Sequence, residues 1–318
     1  MSDDRLKTEI LNADVDGIAR AASLLRGGAL VSFPTETVYG LGANATDNHA
    51  VARIFEAKNR PQFNPLIVHL PSLEAVEDYA VLEGAALDLA QAFWPGPLTL
   101  VLPLKPNSGL SKLVSAGLES VAIRVPAHPL AQELLKEAGV PVAAPSANPS
   151  GRISPSTAGH VINGLSGKIE AVLDGGPCDV GVESTIVGID PTPVLLRPGG
   201  LPIEALEAAL GGPIATRQES ATITAPGQLS SHYAPNAMMR PNAETTIAGE
   251  RLLGFGHVEA DLNLSPSGDL VEAAANLFQM LHQLDEEADT PIAVSPIPDH
   301  GMGRAINDRL RRAAAPRG

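Results

Sequence analysis

Short apolar runs recur through the first 200 residues, with helical spacing between them. Residues 29–33, 66–70, 98–104, 121–125 and 140–144 are each too short for a helix and rich in Val, Leu and Ile. They read as buried strands. Stretches 18–25, 48–57, 72–93 and 129–137 carry apolar residues at helical intervals, the first stopped by Gly27-Gly28. Residues 185–189 and 194–196 form a late strand pair. Such alternation admits an α/β or α+β domain and little else.

The texture changes near residue 212. Residues 213–245 are rich in Gly, Pro, Ser, Thr and Ala, and read as a linker. A smaller β-α-β-α pattern follows: strand 251–255, helix 269–284, strand 291–295 and helix 303–314. The expected division is therefore 1–212, a linker over 213–245, and a small α/β domain over 246–318.

Composition removes several classes. The net charge is −14, and the first 215 residues and the remainder are both acidic. Neither part offers a basic surface for nucleic acid. No apolar run approaches the ~18 residues needed to span a membrane, and the N-terminal stretch MSDDRLKTEI is not signal-like. A cytoplasmic protein is expected. One cysteine, Cys178, rules out an internal disulfide framework. There is no G-x-x-x-x-G-K-[ST], no G-x-S-x-G, and no set of His, Asp and Glu at metal-ligand spacing. GLGANA at 40–45 lacks the acidic residue that a Rossmann dinucleotide site needs about 20 residues on; Arg60 stands there.

Polar clusters close several of the strands. FPTETVYGLG, residues 33–42, presents Thr35, Glu36, Thr37 and Tyr39 where a simple turn would show Gly or Asn. EAKNRPQFNPLIVHL places Lys58 and Arg60 two apart. Pro61 favours extended backbone before it, so the two cations are expected to point one way, as polyphosphate recognition requires. Alternatively, they only offset a helix C-terminal dipole. PVAAPSANPSGRIS, 141–154, is a stiff loop with Ser146, Asn148, Ser150 and Ser154. It suits phosphate or ribose oxygens, or it is a plain Pro/Ser turn. Arg124 falls within an apolar strand. It either pairs with an internal carboxylate or faces a cleft. Ser184 and Thr185 open a later strand, Arg197 ends the next, and His232 and Tyr233 stand out in the linker as an anchor or a lid.

Seven motifs occur in order: FPTETVYGLG, K-x-R-P…NPLIVH, W-P-G-P-L-T, R-V-P-x-H, P-S-A-N-x-S-G, G-x-E-S-T-I-V and L-R-P-G. Together they closely resemble the YrdC-like L-threonylcarbamoyladenylate synthases, in the long, two-domain form to which the PGQLSSHYAP linker and the GMGRAINDRLRRAA tail are similar. The resemblance implies a YrdC-like twisted mixed sheet flanked by helices, followed by a small Rossmann-like domain. It implies condensation of ATP, L-threonine and bicarbonate (or CO2) into threonylcarbamoyl-AMP and pyrophosphate. The product would pass to a tRNA threonylcarbamoyl transferase that modifies the adenosine next to the anticodon.

Matched residue by residue, the resemblance implies that Lys58, Arg60, Ser146 and Asn148 serve nucleotide binding and catalysis, with Lys58 and Arg60 catalytic. It gives Thr35, His69, Arg124 and Ser184 to L-threonine. Ser120, Ser154, Arg197 and Tyr233 would contact ATP, and His232 and Tyr233 would form the lid. Mg2+ is expected to arrive with the ATP phosphates rather than on protein ligands. Asn59 departs from the family, where Gly is frequent. Three other classes stay open at this point: an RNA-binding module, a carbamoyl-transfer domain of the kind found in hydrogenase-maturation proteins, and a regulatory scaffold whose C-terminal domain mainly binds partners.

Overall fold

The computed structural model describes residues 6–61, 64–189, 192–217, 225–227, 231–286 and 290–316. Eleven strands of the described residues form one mixed sheet. They are β1 (Glu9–Asn12), β2 (Val31–Phe33), β3 (Gly40–Asn44), β4 (Ile67–His69), β5 (Leu98–Pro103), β6 (Ser120–Arg124), β7 (Val142–Ala143), β8 (Ala171–Asp174), β9 (Thr185–Ile189), β10 (Pro193–Arg197) and β11 (Ala215–Thr216). Their spatial order is β1-β8-β2-β3-β7-β4-β6-β5-β9-β10-β11.

Each helix forms on an apolar stripe, and several are also capped by a side chain. In α1 (Val15–Arg26), Ile18, Ala21, Ala22 and Leu25 face inward, and the Asp14 carboxylate accepts from the Gly17 N–H at 2.8 Å. Asp47 and Thr157 cap α2 (Asn48–Lys58) and α5 (Ala158–Leu165) in the same way. α3 (Ala85–Phe93), α4 (Pro129–Ala138) and α6 (Ile203–Leu210) complete this part. Side chains alternate along the strands, so the sheet carries a core on each face. Val31, Phe33, Val142 and Ala144 pack with α1 and α4, while Leu41, Ala43, Val68 and Ala143 join the opposite core with α2 and α3.

A second sheet of described residues is wholly parallel, in the order β12 (Met239–Arg240), β15 (Ile292–Val294), β13 (Arg251–Gly254), β14 (Leu262–Asn263). α7 (Leu270–Asp285) and α8 (Met302–Ala313) pack on it. Its core runs without a break into Val38, Ile153, Val182 and Tyr233 of the first part. Gly181 lets the two meet closely: a Cβ there would lie 2.4 Å from the Ala274 carbonyl oxygen of α7.

The expected elements are present, with four corrections. The stretch near 72–93 contains a 3-10 turn (Glu74–Asp78) before α3. The expected linker holds two strands: β11 extends the large sheet and β12 belongs to the small one. At two residues each they are too short to leave a periodic pattern; residues 218–224 and 228–230 of that linker lie outside the described residues. FPTETVYGLG is a turn after all, because β2 and β3 pair antiparallel with Phe33 opposite Gly40. Lastly, Lys58 and Arg60 are not on an extended segment. Lys58 is the last helical residue, Asn59 is left-handed at φ 50°, and the Arg60 N–H returns to the Phe55 carbonyl at 2.9 Å. Asparagine tolerates that conformation where Gly is otherwise favoured.

Candidate active site

A cavity of about 50 Å3 lies over the strands at the centre of the large sheet. Ile67 and His69, two apart on β4, share its face, and the register sets His69 beside Arg124 of β6. The turn after β2 supplies Thr35 and Thr37, and the loop after β7 supplies Pro145 and Ser146. Arg60, Glu183, Ser184 and Arg197 close the sides. Pro226, Gly227, His232 and Tyr233 form the roof.

Arg124 does both things that the sequence left open. It lines the cavity, and its Nη2 lies 2.6 Å from a Glu36 carboxylate oxygen. Its Nη1 donates to the Thr37 hydroxyl at 2.8 Å. The Thr35 hydroxyl donates to the Val38 carbonyl at 2.7 Å, and it lies 2.8 Å from that of Thr37. A hydroxyl donates once, so Thr37 must donate to Thr35. The chain Arg124→Thr37→Thr35→Val38 therefore has a fixed direction. His69 is held neutral, pushed down to about 3 by burial and by the Arg124 charge.

The other end is strongly cationic. Arg197 reaches the Ser184 carbonyl through Nη2 at 2.7 Å and Nε at 3.2 Å, and Ser184 pairs with the Thr99 hydroxyl at 2.7 Å. The Arg60 fork rests on the Pro65 carbonyl at 3.0 Å. Burial pushes Arg60 down to about 10, with the nearby Arg197 charge acting the same way. His232 is driven well below the ordinary histidine value by burial and by Arg60, Lys58, Arg197 and Arg309.

The residues named from the sequence divide into three groups. Thr35, Arg60, His69, Arg124, Ser146, Ser184, Arg197, His232 and Tyr233 come together around the cavity. Lys58, Asn148 and Ser154 stand behind it. The Lys58 ammonium donates to the Ser146 carbonyl at 2.6 Å and to the Asn148 carbonyl, clamping the loop, and burial drives its pKa well down. The Asn148 amide holds the Pro149 and Arg152 carbonyls, both at 2.9 Å, and the Ser154 hydroxyl donates to Glu183. Ser120 is set apart. It opens β6 opposite Pro103, four residues before Arg124, which puts it about 13 Å away along an extended strand. Sequence reasoning did not assign Thr37, Glu183 or Gly227. All three lie inside stretches already singled out: Glu183 beside Ser184, Thr37 two residues from Thr35, and Gly227 in PGQLSSHYAP.

Two family models cover nearly all of the chain. One described as "Telomere recombination" matches residues 23–199, and one described as "Threonylcarbamoyl-AMP synthase, C-terminal domain" matches 201–315. A threonylcarbamoyl-AMP synthase of Bacillus subtilis is 43% identical over 98% of this chain and 96% of its own.

The chain belongs to the threonylcarbamoyl-AMP synthase family.

It is an enzyme of that kind, and its reaction yields threonylcarbamoyl-AMP. The crystal structure of the Pyrococcus abyssi family member Sua5, complexed with L-threonine, superposes with a TM-score of 0.90 at 41% identity, covering 96% of this chain and 98% of that one. A full-length HypF structure, at 20% identity and a TM-score of 0.53, shares the fold over 58% of this chain and 30% of its own.

Proposed function

We propose that this cavity joins L-threonine, a one-carbon unit from bicarbonate or CO2, and ATP, releasing pyrophosphate. The observation that carries the assignment is the convergence of three buried arginines, Arg60, Arg124 and Arg197, on one small cavity. A substrate set with a carboxylate and a triphosphate matches that concentration of positive charge.

Arg124 takes the threonine carboxylate, and Thr35, Thr37, His69 and Ser184 surround the rest of that amino acid. Arg60 and Arg197 take phosphate oxygens beside Ser146, with His232 and Tyr233 above. Lys58 and Asn148 act by fixing the loop that carries Ser146, and Ser154 acts through Glu183. Ser120 has no part in this assignment.

The neutral amine of threonine adds to the carbon of CO2, a C=O π pair moves onto oxygen and the nitrogen gives up a proton, leaving N-carboxy-threonine; from bicarbonate the same product forms with loss of water. Its new carboxylate then attacks the α-phosphorus of ATP, the bond to the β-phosphate oxygen breaks, and pyrophosphate leaves. Two anions must meet in this step, and the arginines offset their repulsion and the charge that develops at phosphorus. No covalent enzyme intermediate is needed. Glu183 at the cavity and Glu36 beside Arg124 already face arginines, and among the described residues no three His, Cys, Asp or Glu side chains are grouped as a metal site would group them. Mg2+ is assigned to the nucleotide substrate, on its phosphate oxygens.

A cavity of about 50 Å3 has room for a water or two and not for a nucleotide. The roof residues Pro226, Gly227, His232 and Tyr233 must lift for ATP to enter, and their return would shield the carbamate and the mixed anhydride from water. The product, an activated acyl adenylate, suits handover to a tRNA threonylcarbamoyl transferase. No helix among the described residues is long and apolar enough to cross a membrane, and a cytoplasmic setting fits substrates of this class.

The test is incubation with ATP, L-threonine, bicarbonate and Mg2+, omitting each in turn, with rapid mass spectrometry of the products. Threonylcarbamoyl-AMP that requires both organic substrates and the carbon source, with pyrophosphate released, supports the assignment. ATP turnover that is indifferent to threonine would overturn it.

A further inference from the structure

We infer that Arg309, on helix α8 of the C-terminal domain, is a positioning residue for the nucleotide end of the active site, acting through Glu183 and Tyr233. This rests on the assignment of the ATP phosphates to the Arg60–Arg197 end.

Arg309 is fully buried. Its Nε donates to the Glu183 carboxylate at 2.9 Å, and its Nη1 donates to the Pro198 carbonyl at 2.6 Å and to the Asp308 carboxylate at 3.0 Å. Its guanidinium carbon lies 5.2 Å from the centre of the Tyr233 ring. One side chain of the second domain thus holds two residues of the cavity wall, Glu183 and Tyr233.

Both held residues need fixing. Glu183 is buried and also receives the Ser154 hydroxyl. Tyr233 has a φ of 63°, a left-handed conformation that a bulky residue keeps only when its surroundings impose it. Its ring has Arg309 on it, lies 5.8 Å from the Phe278 ring of α7 and is 4.1 Å from that of His232. The Tyr233 hydroxyl is buried at the cavity with no hydrogen-bond partner among the described residues. That leaves it available to a ligand oxygen.

Simple adhesion between the domains does not explain Arg309. The interface already has a continuous apolar core, and apolar side chains would join the domains without the cost of burying a guanidinium. What the arginine adds is direction. Its planar fork orients the Glu183 carboxylate while its face aligns the Tyr233 ring. Burial works against its charge, but the groups facing it, Glu183 and Asp308 among them, outweigh that, and its pKa is raised. It is charged at every working pH.

The experiment measures steady-state synthesis with ATP and threonine varied separately in the full chain, for Arg309→Met, Arg309→Lys and Arg60→Ala. Misplacement of the wall should raise the KM for ATP about tenfold or more in Arg309→Met, leave the KM for threonine unchanged, and keep the melting temperature above that of the assay. Arg309→Lys should recover part of the loss, since it restores an ion pair with Glu183 without the fork. An unchanged KM for ATP in folded Arg309→Met overturns the inference, as does an equal rise for both substrates, which would signify general loosening. If Arg309→Met does not fold, Arg309→Lys decides by the same split. Arg60→Ala separates the two levels. An unaltered KM for ATP in that variant would overturn the nucleotide assignment itself, whereas a rise there with none in Arg309→Met overturns the role of Arg309 alone.

Discussion

Glu36 stands 2.6 Å from Arg124 of the cavity wall, and their side chains are only 11% and 4% exposed. The turn after β2 delivers the carboxylate, and β6 delivers the guanidinium. Without Glu36, Arg124 would be a buried charge with no carboxylate opposite it. Replacing one partner of such a pair costs about 3–5 kcal/mol, and Glu36→Gln should lose stability of that order in urea denaturation. L-Threonine brings a replacement carboxylate, so it should raise the urea midpoint more in Glu36→Gln than in the parent. An equal response in the two proteins would detach Arg124 from the threonine carboxylate.

Lys58→Ala should reduce threonylcarbamoyl-AMP synthesis by about a hundredfold or more, since the loop carrying Ser146 loses the clamp on two of its carbonyls. Circular dichroism should show the fold retained. Parental activity in this variant would remove Lys58 from the machinery.

Stability should fall as the pH drops below about 6.5. His69 is pushed down to about 3 and His160 to about 4, both chiefly by burial. In the native state they stay neutral, while the unfolded chain takes up protons at ordinary histidine values. The unfolded state then binds more protons, so unfolding becomes easier with acid. The fully buried His69 alone contributes about 1.4 kcal/mol per pH unit below its unfolded value. Denaturation midpoints at pH 7.5 and 5.5 check this; equal midpoints would contradict neutral burial of these rings.

Gly181→Ala should lower stability and chemistry together. Its φ of +73° already disfavours a side chain, and a new Cβ would meet the α7 backbone at 2.4 to 2.6 Å. The second domain must shift, at a cost of about 1–3 kcal/mol. With it goes the Arg309 contact to Glu183. Synthesis should drop and the interdomain segment should become easier to cut by protease; unchanged activity would mean that the wall does not depend on domain docking.

Much of this architecture was legible because the strands are apolar and end in unusual residues. The run around Leu98 and the helix with Leu277 and Leu281 carry their periodicity openly. What could not be read was set by partners distant in sequence. β8 is Ala-Val-Leu-Asp, four residues with no pattern of their own, and it is a strand because β1 and β2 flank it. At the site, the residue types were visible but their directions were not. Lys58 and Arg60 diverge because Asn59 adopts a left-handed turn, and spacing alone implied that they would converge. Ser120 shares a strand with Arg124, but four residues of extended chain separate their ends. Arg309 had no local signal, since its meaning comes from Glu183, 126 residues earlier.

The insertion of β8 between β1 and β2 also governs how the chain can reach this state. The Thr8 hydroxyl meets the Ile169 carbonyl at 2.7 Å across 161 residues of sequence. That edge of the sheet cannot close until some 170 residues have been made, so β1 and β2 must wait with open edges while the middle of the domain is synthesised. Closing so long a loop is entropically slow. Refolding should be limited by this late annealing of the first strands, and the unpaired edge of β2 is the place where a stalled chain would aggregate.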